Sequence, residues 1–168
     1  NYMGAWIFLG VLFVPMLIVG AVLLIKSPEL LEKRLGGKES EKTQKGVVAL
    51  AGLMFPIGFV VSALDFRFGW SHVPSWVVIV ASVILLVSYA LYAEVMRENA
   101  YLSRTVEVRE GQRVVDTGLY GIVRHPMYAV TLLLFLAIPL VLGSVFALPV
   151  FLIYPFVIAI RIKHEEEL

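Results

Sequence analysis

The chain of 168 residues contains no cysteine. Disulfides, thiolate nucleophiles and cysteine-ligated metals are therefore excluded. Histidine is scarce as well. His72, His125 and His164 stand far apart with no pair at helical spacing, so no metal site is expected. Charge is the next scarcity: charged residues make up 16% of the chain and hydrophobic ones 60%, whereas soluble domains carry roughly 25% charged residues. The net charge of +1 points to no partner by itself, and no nucleic-acid partner is expected. Repeats and low-complexity stretches are also missing. With a mean hydropathy of +0.87, what remains is a single integral membrane domain over residues 1–168.

What is present in abundance is long apolar sequence. Five apolar spans run over roughly 4–25, 47–64, 74–95, 126–142 and 145–161, close to the ~20 residues that cross a bilayer. Lipid offers the backbone of a single span no other partner than itself, so each is expected to be helical and the fold all-α and polytopic. The first span lacks a basic leader and is too long for a cleaved signal. Spans four and five, with only Gly143 and Ser144 between them, predict a tight helical hairpin, bent by Pro139, Pro149 and Pro155. Residues 1–96 read as a three-helix N-terminal part, and 97–168 as a part carrying the chemistry.

The basic residues orient the chain. Thirteen of the fourteen fall between spans one and two, between spans three and four, or after span five, and Arg67 alone lies on the other side. The positive-inside rule then puts the N-terminus outside and the C-terminus in the cytoplasm. Trp6, Trp70 and Trp76 fall together at the outer interface, where aromatic belts form. Ser27, Pro28 and Glu29 predict the start of a short surface helix over 28–35. The outer loop 65–72 reads chiefly as an interfacial anchor, with pairing of Asp65 and Arg67 as a further expectation. Within the cytoplasmic segment 97–125, alternation around Glu110, Gly111 and Gln112 fits a small interfacial hairpin or an irregular lid.

Two polar clusters interrupt the apolar pattern at the cytoplasmic side. Residues 118–128 carry Tyr120, Arg124, His125, Pro126, Met127 and Tyr128, and the chain closes on Arg161, Lys163, His164, Glu165, Glu166 and Glu167. Pro126 reads as the first residue of the fourth helix and His125 as its cap. A helix start of this kind accepts a carboxylate or phosphate, with Arg124 adding charge and Tyr120 and Tyr128 adding aromatic walls. Interfacial anchoring would use the same residue types. Carboxylates at the end of the fifth helix oppose its dipole, so Glu165–Glu167 call for a cation or a continuing helix. Arg161, one turn earlier, shares a face with Glu165. His164 reads as solvated. Glu94 is expected to pair with Arg97, and Asn99 to cap a helix or face the site. Because the fourth and fifth helices form a hairpin, the two clusters are expected to be neighbours in space. A cofactor with an amino-acid moiety and a cation, such as S-adenosylmethionine, would suit them.

At these motifs the chain resembles the isoprenylcysteine carboxyl methyltransferase family, a branch of small membrane methyltransferases that includes phospholipid methyltransferases. The family's Gly-x-Tyr stands here as Gly118 to Tyr120, its Arg-His-Pro-x-Tyr as Arg124 to Tyr128, and its Arg-x-x-x-Glu-Glu as Arg161 to Glu166. The stretch Gln112 to Val115 is similar to the family's sequence before Gly-x-Tyr. The resemblance is strong from about Asn99 onward and generic over the first two spans. It implies binding of S-adenosylmethionine by Gln112, Arg113, Val114, Val115, Tyr120, His125, Pro126, Met127, Tyr128 and Glu165, and contact of Arg161 with a lipophilic acceptor or lipidated substrate. Family members continue past the Glu-Glu pair with an amphipathic tail, so the chain, which ends at Leu168 and does not begin with Met, is expected to be trimmed at both ends.

Methyl transfer from a sulfonium is a direct displacement, helped by desolvation and by holding the reacting atoms in line. A carboxylate acceptor needs no general base. An amine acceptor needs one, and Glu166 is the candidate. The expected setting is the cytoplasmic side of a bacterial or archaeal plasma membrane, with the acceptor arriving from membrane lipid. Two other classes stay open at this point: a reductase using NADPH with a sterol-reductase-like helical end-domain, and a non-enzymatic membrane scaffold.

Overall fold

The computed structural model describes residues 3–36, 42–99 and 115–167. Every regular element among them is helical, and the described residues include no strand. Helix α1 covers Met3–Lys26, α2 Pro28–Gly36, α3 Lys42–Phe68 and α4 Ser75–Glu98. A 3-10 turn over Gly118–Gly121 precedes α5 (Pro126–Val141), α6 (Leu148–Phe151) and α7 (Ile153–Glu166). The hairpin or lid expected around 105–115, and with it Gln112, Arg113 and Val114, lies outside the described residues.

Three helices, α1, α4 and the Val48–Phe68 part of α3, are long and apolar enough to cross a membrane. α5 is apolar but shorter, at 16 residues. The expected fifth span is instead two helices. Pro155 has no N–H to give the Phe151 carbonyl, and its ring crowds that carbonyl. The chain therefore turns at Leu152, whose N–H is held by Leu148 at 2.9 Å. The link between α5 and α6 is also longer than Gly143 and Ser144 alone, running from Leu142 to Ala147. α2 forms where Ser27, Pro28 and Glu29 start it, and anchors itself by burying Leu30.

The surface is apolar where water would reject it. α1 buries Phe8 alone, and its Ile25 is 80% exposed. A chain that turns Trp6, Leu17, Phe13, Ile79 and Val87 outward on adjoining helices has lipid, not water, as its solvent. The core lies between α3, α4, α5 and the α6–α7 arm. The α4–α5 contact is the largest, with Leu85, Val95, Leu134 and Ile138 buried in the interior. An aromatic ladder ties the rest together. Phe55 meets Phe135 edge-on at 4.9 Å and Phe151 at 6.1 Å, and Phe135 meets Tyr154 at 4.5 Å. Pairs of this geometry contribute about 0.5–1.5 kcal/mol each beyond their burial. Gly58, in α3, is the point where Phe151 presses against the helix backbone.

The two ends of this bundle differ chemically. At one end, α5 stops at Gly143, which has φ 73°. The Gly143 N–H returns to the Leu140 carbonyl at 3.0 Å and the Ser144 N–H to Pro139 at 2.9 Å, the double closure that needs a left-handed residue. Ser144 then donates from Oγ to buried Asp65 at 2.5 Å. Asp65 also accepts from the Ser71 N–H at 2.7 Å and Ser71 Oγ at 2.6 Å. This corrects the expected Asp65–Arg67 pair. Asp65 points inward from α3 to the loops, where two hydroxyls and an amide satisfy it, while the Arg67 guanidinium lies 5.9 Å from the centre of the Phe68 ring. Trp70 stacks on Phe68 at 5.5 Å and leans on Phe146 at 5.7 Å at this same end. Gly4, near the start of α1, abuts the Val141 carbonyl here. The opposite end gathers the close of α4, the 3-10 turn, the start of α5 and the close of α7.

Candidate active site

The polar end is built from four elements. α4 delivers Glu98 and Asn99 at its close. The 3-10 turn delivers Tyr120. The start of α5 delivers His125 and Tyr128, and the last turns of α7 deliver Arg161, Glu165 and Glu166. Pro126 is the first residue of α5 and is buried, as its fixed φ and missing N–H favour. His125 occupies the cap position but makes no side-chain cap bond to the helix. Its imidazole turns instead to α7: Nε2 is 3.4 Å from Glu166 and Nδ1 is 3.7 Å from Glu165.

Tyr128 is the hinge of the site. Its hydroxyl donates to Glu165 and accepts from Arg161 Nε at 3.3 Å. One phenol thus connects an acid and a base that share a face of α7. Arg124 reaches across the same gap and donates to Glu166 at 3.0 Å. Arg124, followed by His125, holds the Glu166 carboxyl below its ordinary range. This pair is exposed, so it adds little stability. The two sequence clusters therefore do converge, about 40 residues apart along the chain.

Beneath the polar rim lies a cavity of about 640 Å³. Its mouth is lined by Asn99, Tyr120, Arg124, His125, Tyr128, Arg161 and Glu165, with Pro126 and Met127 beside them. Its inner walls are apolar and aromatic, with Met16 from α1, Gly52 and Phe55 from α3, and Tyr89 and Tyr92 from α4. Tyr154 closes the floor and donates to Thr131 at 2.9 Å. The volume and the mixture of apolar wall with a few convergent polar groups suit a medium-sized organic ligand.

Of the residues expected at the site, Tyr120, His125, Pro126, Met127, Tyr128, Arg161 and Glu165 line the cavity. Glu166 sits on the exposed rim. Val115 is half-buried and does not line the cavity. His164, read as solvated, is half-buried. Glu94 and Arg97 pair as expected, at 2.5 and 2.8 Å. Asn99 does both things expected of it: it holds the C-cap position of α4, with its N–H on the Val95 carbonyl at 3.1 Å, and its side chain donates to the Tyr120 hydroxyl at 2.9 Å. Sequence reasoning missed Glu98, which accepts the Leu119 N–H at 3.0 Å. It also missed the aromatic inner walls. The signal for Glu98 was available: an acid as the last residue of a helix opposes the dipole, as Glu165–Glu167 do.

Comparison with known proteins agrees with this geometry. A family profile described as phospholipid methyltransferase matches residues 76–168, the stretch from α4 to the end that supplies every group at the polar rim. The uncharacterized protein YpbQ of Bacillus subtilis is 33% identical over 94 residues, covering 55% of this chain and 56% of that protein. The aligned part thus spans little more than half of either protein. No solved structure matches. On the breadth of the family match, the chain belongs to the phospholipid methyltransferase family of membrane methyltransferases.

Proposed function

We propose that this protein uses S-adenosylmethionine to methylate an acidic group on a lipophilic acceptor at the cytoplasmic face of the membrane. The observation that carries the reading is the cavity itself. Glu165, Tyr128, His125 and Arg161 meet at its mouth while its walls run apolar into the bundle.

The donor set fits the cofactor. The Glu165 carboxylate suits an ammonium, and the α5 helix start with Arg124 suits a carboxylate. Tyr120 and Tyr128 offer aromatic faces to a ring. S-adenosylmethionine would supply a methyl group on a sulfonium, ready for displacement. What the chain contributes is position and dryness. Arg161 would orient the acceptor's anion by a forked contact, and the Phe55, Phe135 and Tyr154 walls exclude water from the reacting pair. An acceptor oxygen held as its anion by Arg161 would attack the donor's methyl group with its own electron pair, and an anion and a sulfonium would give two uncharged groups, a methyl ester and a thioether. No proton moves.

That balance bears on the acceptor. An amine would need a base, and Glu166, the nearby candidate, is occupied by Arg124 and His125 and is weakened as a base by them. Oxygen methylation, as on an isoprenylcysteine-like carboxylate, is therefore favoured over nitrogen methylation. We further read α5 and the α6–α7 arm as fourth and fifth spans, with the N-terminus outside. Sixteen residues of α5 reach about 24 Å, short of the ~30 Å hydrocarbon core. A plasma membrane is the expected location. Calorimetry on the purified protein with S-adenosylmethionine and separately with NADPH, followed by transfer of labelled methyl into the native lipid extract, tests the reading. Binding of NADPH alone would support a reductase, and binding of neither would support a scaffold.

A further inference from the structure

We propose that Glu98 is a positioning residue. It caps the 3-10 turn from outside and so sets where Tyr120 stands in the cavity. The inference rests on the reading above of Tyr120 as part of the cofactor site.

The turn over Gly118–Gly121 starts without a cap of its own. Thr117 holds the cap position in extended geometry and makes no side-chain cap bond. The first amides of such a turn have no partner within it, and they need one. Glu98, 21 residues earlier in the chain, supplies it: Oε2 accepts the Leu119 N–H at 3.0 Å. The match is electrostatic in both directions. As the last residue of α4, Glu98 sits at the negative end of that helix, where a carboxylate is unfavourable. At the start of the 3-10 turn the same carboxylate meets the positive end of a short run of amides. Among the described residues, the Leu119 amide is the group that carboxylate accepts from.

Gly118 completes the contact. It has φ 53°, a backbone region that side chains disfavour, and a methyl group built on it would collide with the Glu98 carboxylate. The glycine of the Gly-x-Tyr sequence therefore does two jobs, adopting the left-handed conformation and leaving room for an acid from another helix. The residue that caps α4 continues the grip. Asn99 donates to the Tyr120 hydroxyl at 2.9 Å, so adjacent residues hold the turn's backbone and its side chain. Asn99 and Tyr120 line the cavity, whereas Glu98 does not. Glu98 acts through them.

The test uses the full chain in lipid nanodiscs and compares Glu98→Ala with Glu98→Gln, which keeps an oxygen acceptor. Two readouts are taken: hydrogen exchange of the 117–123 backbone, and affinity for S-adenosylmethionine by calorimetry. Loss of a bond to a charged acceptor is expected to speed exchange at Leu119 and to weaken cofactor affinity by about tenfold or more each in Glu98→Ala. Glu98→Gln restores most of both. Exchange elsewhere in α4 and α5 stays at the wild-type level, which a general loss of folding would not allow. Unchanged exchange at Leu119 in Glu98→Ala overturns the proposal whether or not the cofactor binds. Faster exchange with unchanged affinity overturns it as well. If the wild type binds no S-adenosylmethionine, the functional reading fails, and the positioning role for that cofactor fails with it. Wild-type binding with an indifferent Glu98→Ala removes this proposal alone.

Discussion

Replacing Tyr128 by phenylalanine removes one oxygen and leaves the ring in place. That oxygen makes two bonds, one given to Glu165 and one received from Arg161 at 3.3 Å. Without it, Glu165 keeps His125 Nδ1 at 3.7 Å, beyond a good hydrogen bond, and is free to reorient. A hydrogen bond to a charged partner contributes about 1.5–3 kcal/mol. If Tyr128 fixes Glu165 for the cofactor's ammonium, Tyr128→Phe should weaken S-adenosylmethionine binding by about tenfold to a hundredfold at ~1.4 kcal/mol per decade. The ring contacts that Tyr128 makes with His125, at 5.9 Å, survive the change. Loss of the two bonds should also cost about 1–3 kcal/mol of stability, read as a modest drop in melting temperature. Isothermal titration of wild type, Tyr128→Phe and Glu165→Ala decides the matter. Affinity of Tyr128→Phe within twofold of wild type, with Glu165→Ala strongly impaired, would refute the wiring of the phenol to the acid.

Arg161→Ala should raise the acceptor KM by about tenfold or more while leaving cofactor affinity within a few-fold, because a forked contact to an anion is lost on the acceptor side only; steady-state kinetics and calorimetry read the two separately. Asp65→Ala strands the Ser71 amide and the Ser144 hydroxyl at the far end of the bundle, so it should cost about 1–3 kcal/mol of stability by chemical or thermal unfolding with cofactor affinity intact. Glu166 should stabilise the fold in a pH-dependent way. Its folded pKa lies below the unfolded value, so the contribution is complete above the unfolded value of about 4.5 and fades as pH falls through the lower folded value. The difference in melting temperature between wild type and Glu166→Gln should be constant near neutrality and vanish in acid. A difference that instead grew as pH fell would reverse the sign. Gly143→Ala puts a side chain at φ 73° and should destabilise by about 1 kcal/mol or more in the same unfolding assay.

What the sequence made legible was whatever a single segment determines. Apolar length gave the positions of α1, α3 and α4, and Pro126 marked the start of α5 to the residue. The convergence of Arg124 and His125 on Glu165 and Glu166 was also readable, because a hairpin of two helices leaves its ends no other place to go. What escaped depended on partners distant in sequence. Asp65 has Arg67 two residues away on its own helix, yet its partners are Ser71 and Ser144, the latter 79 residues on. No local rule ranks a hydroxyl at that separation above a nearby guanidinium. A bend in the fifth span was readable from Pro155, but its sharpness was not: the span divides at Leu152 into α6 and α7. Phe55, Tyr89 and Tyr154 looked like ordinary span residues, since an aromatic facing a cavity and one facing lipid have the same spacing.

The central claim is that residues 118–128 and 161–166 form one cradle for one cofactor. The chain's complete lack of cysteine does not bear on this, but the separation of its two ends does. Ultraviolet crosslinking of labelled S-adenosylmethionine to the full protein in lipid, followed by peptide mapping, reads the claim directly. Label is expected on peptides from both segments, lost from both together in Glu165→Ala. Label on one segment alone, or around residues 65–76 at the opposite end, would contradict it.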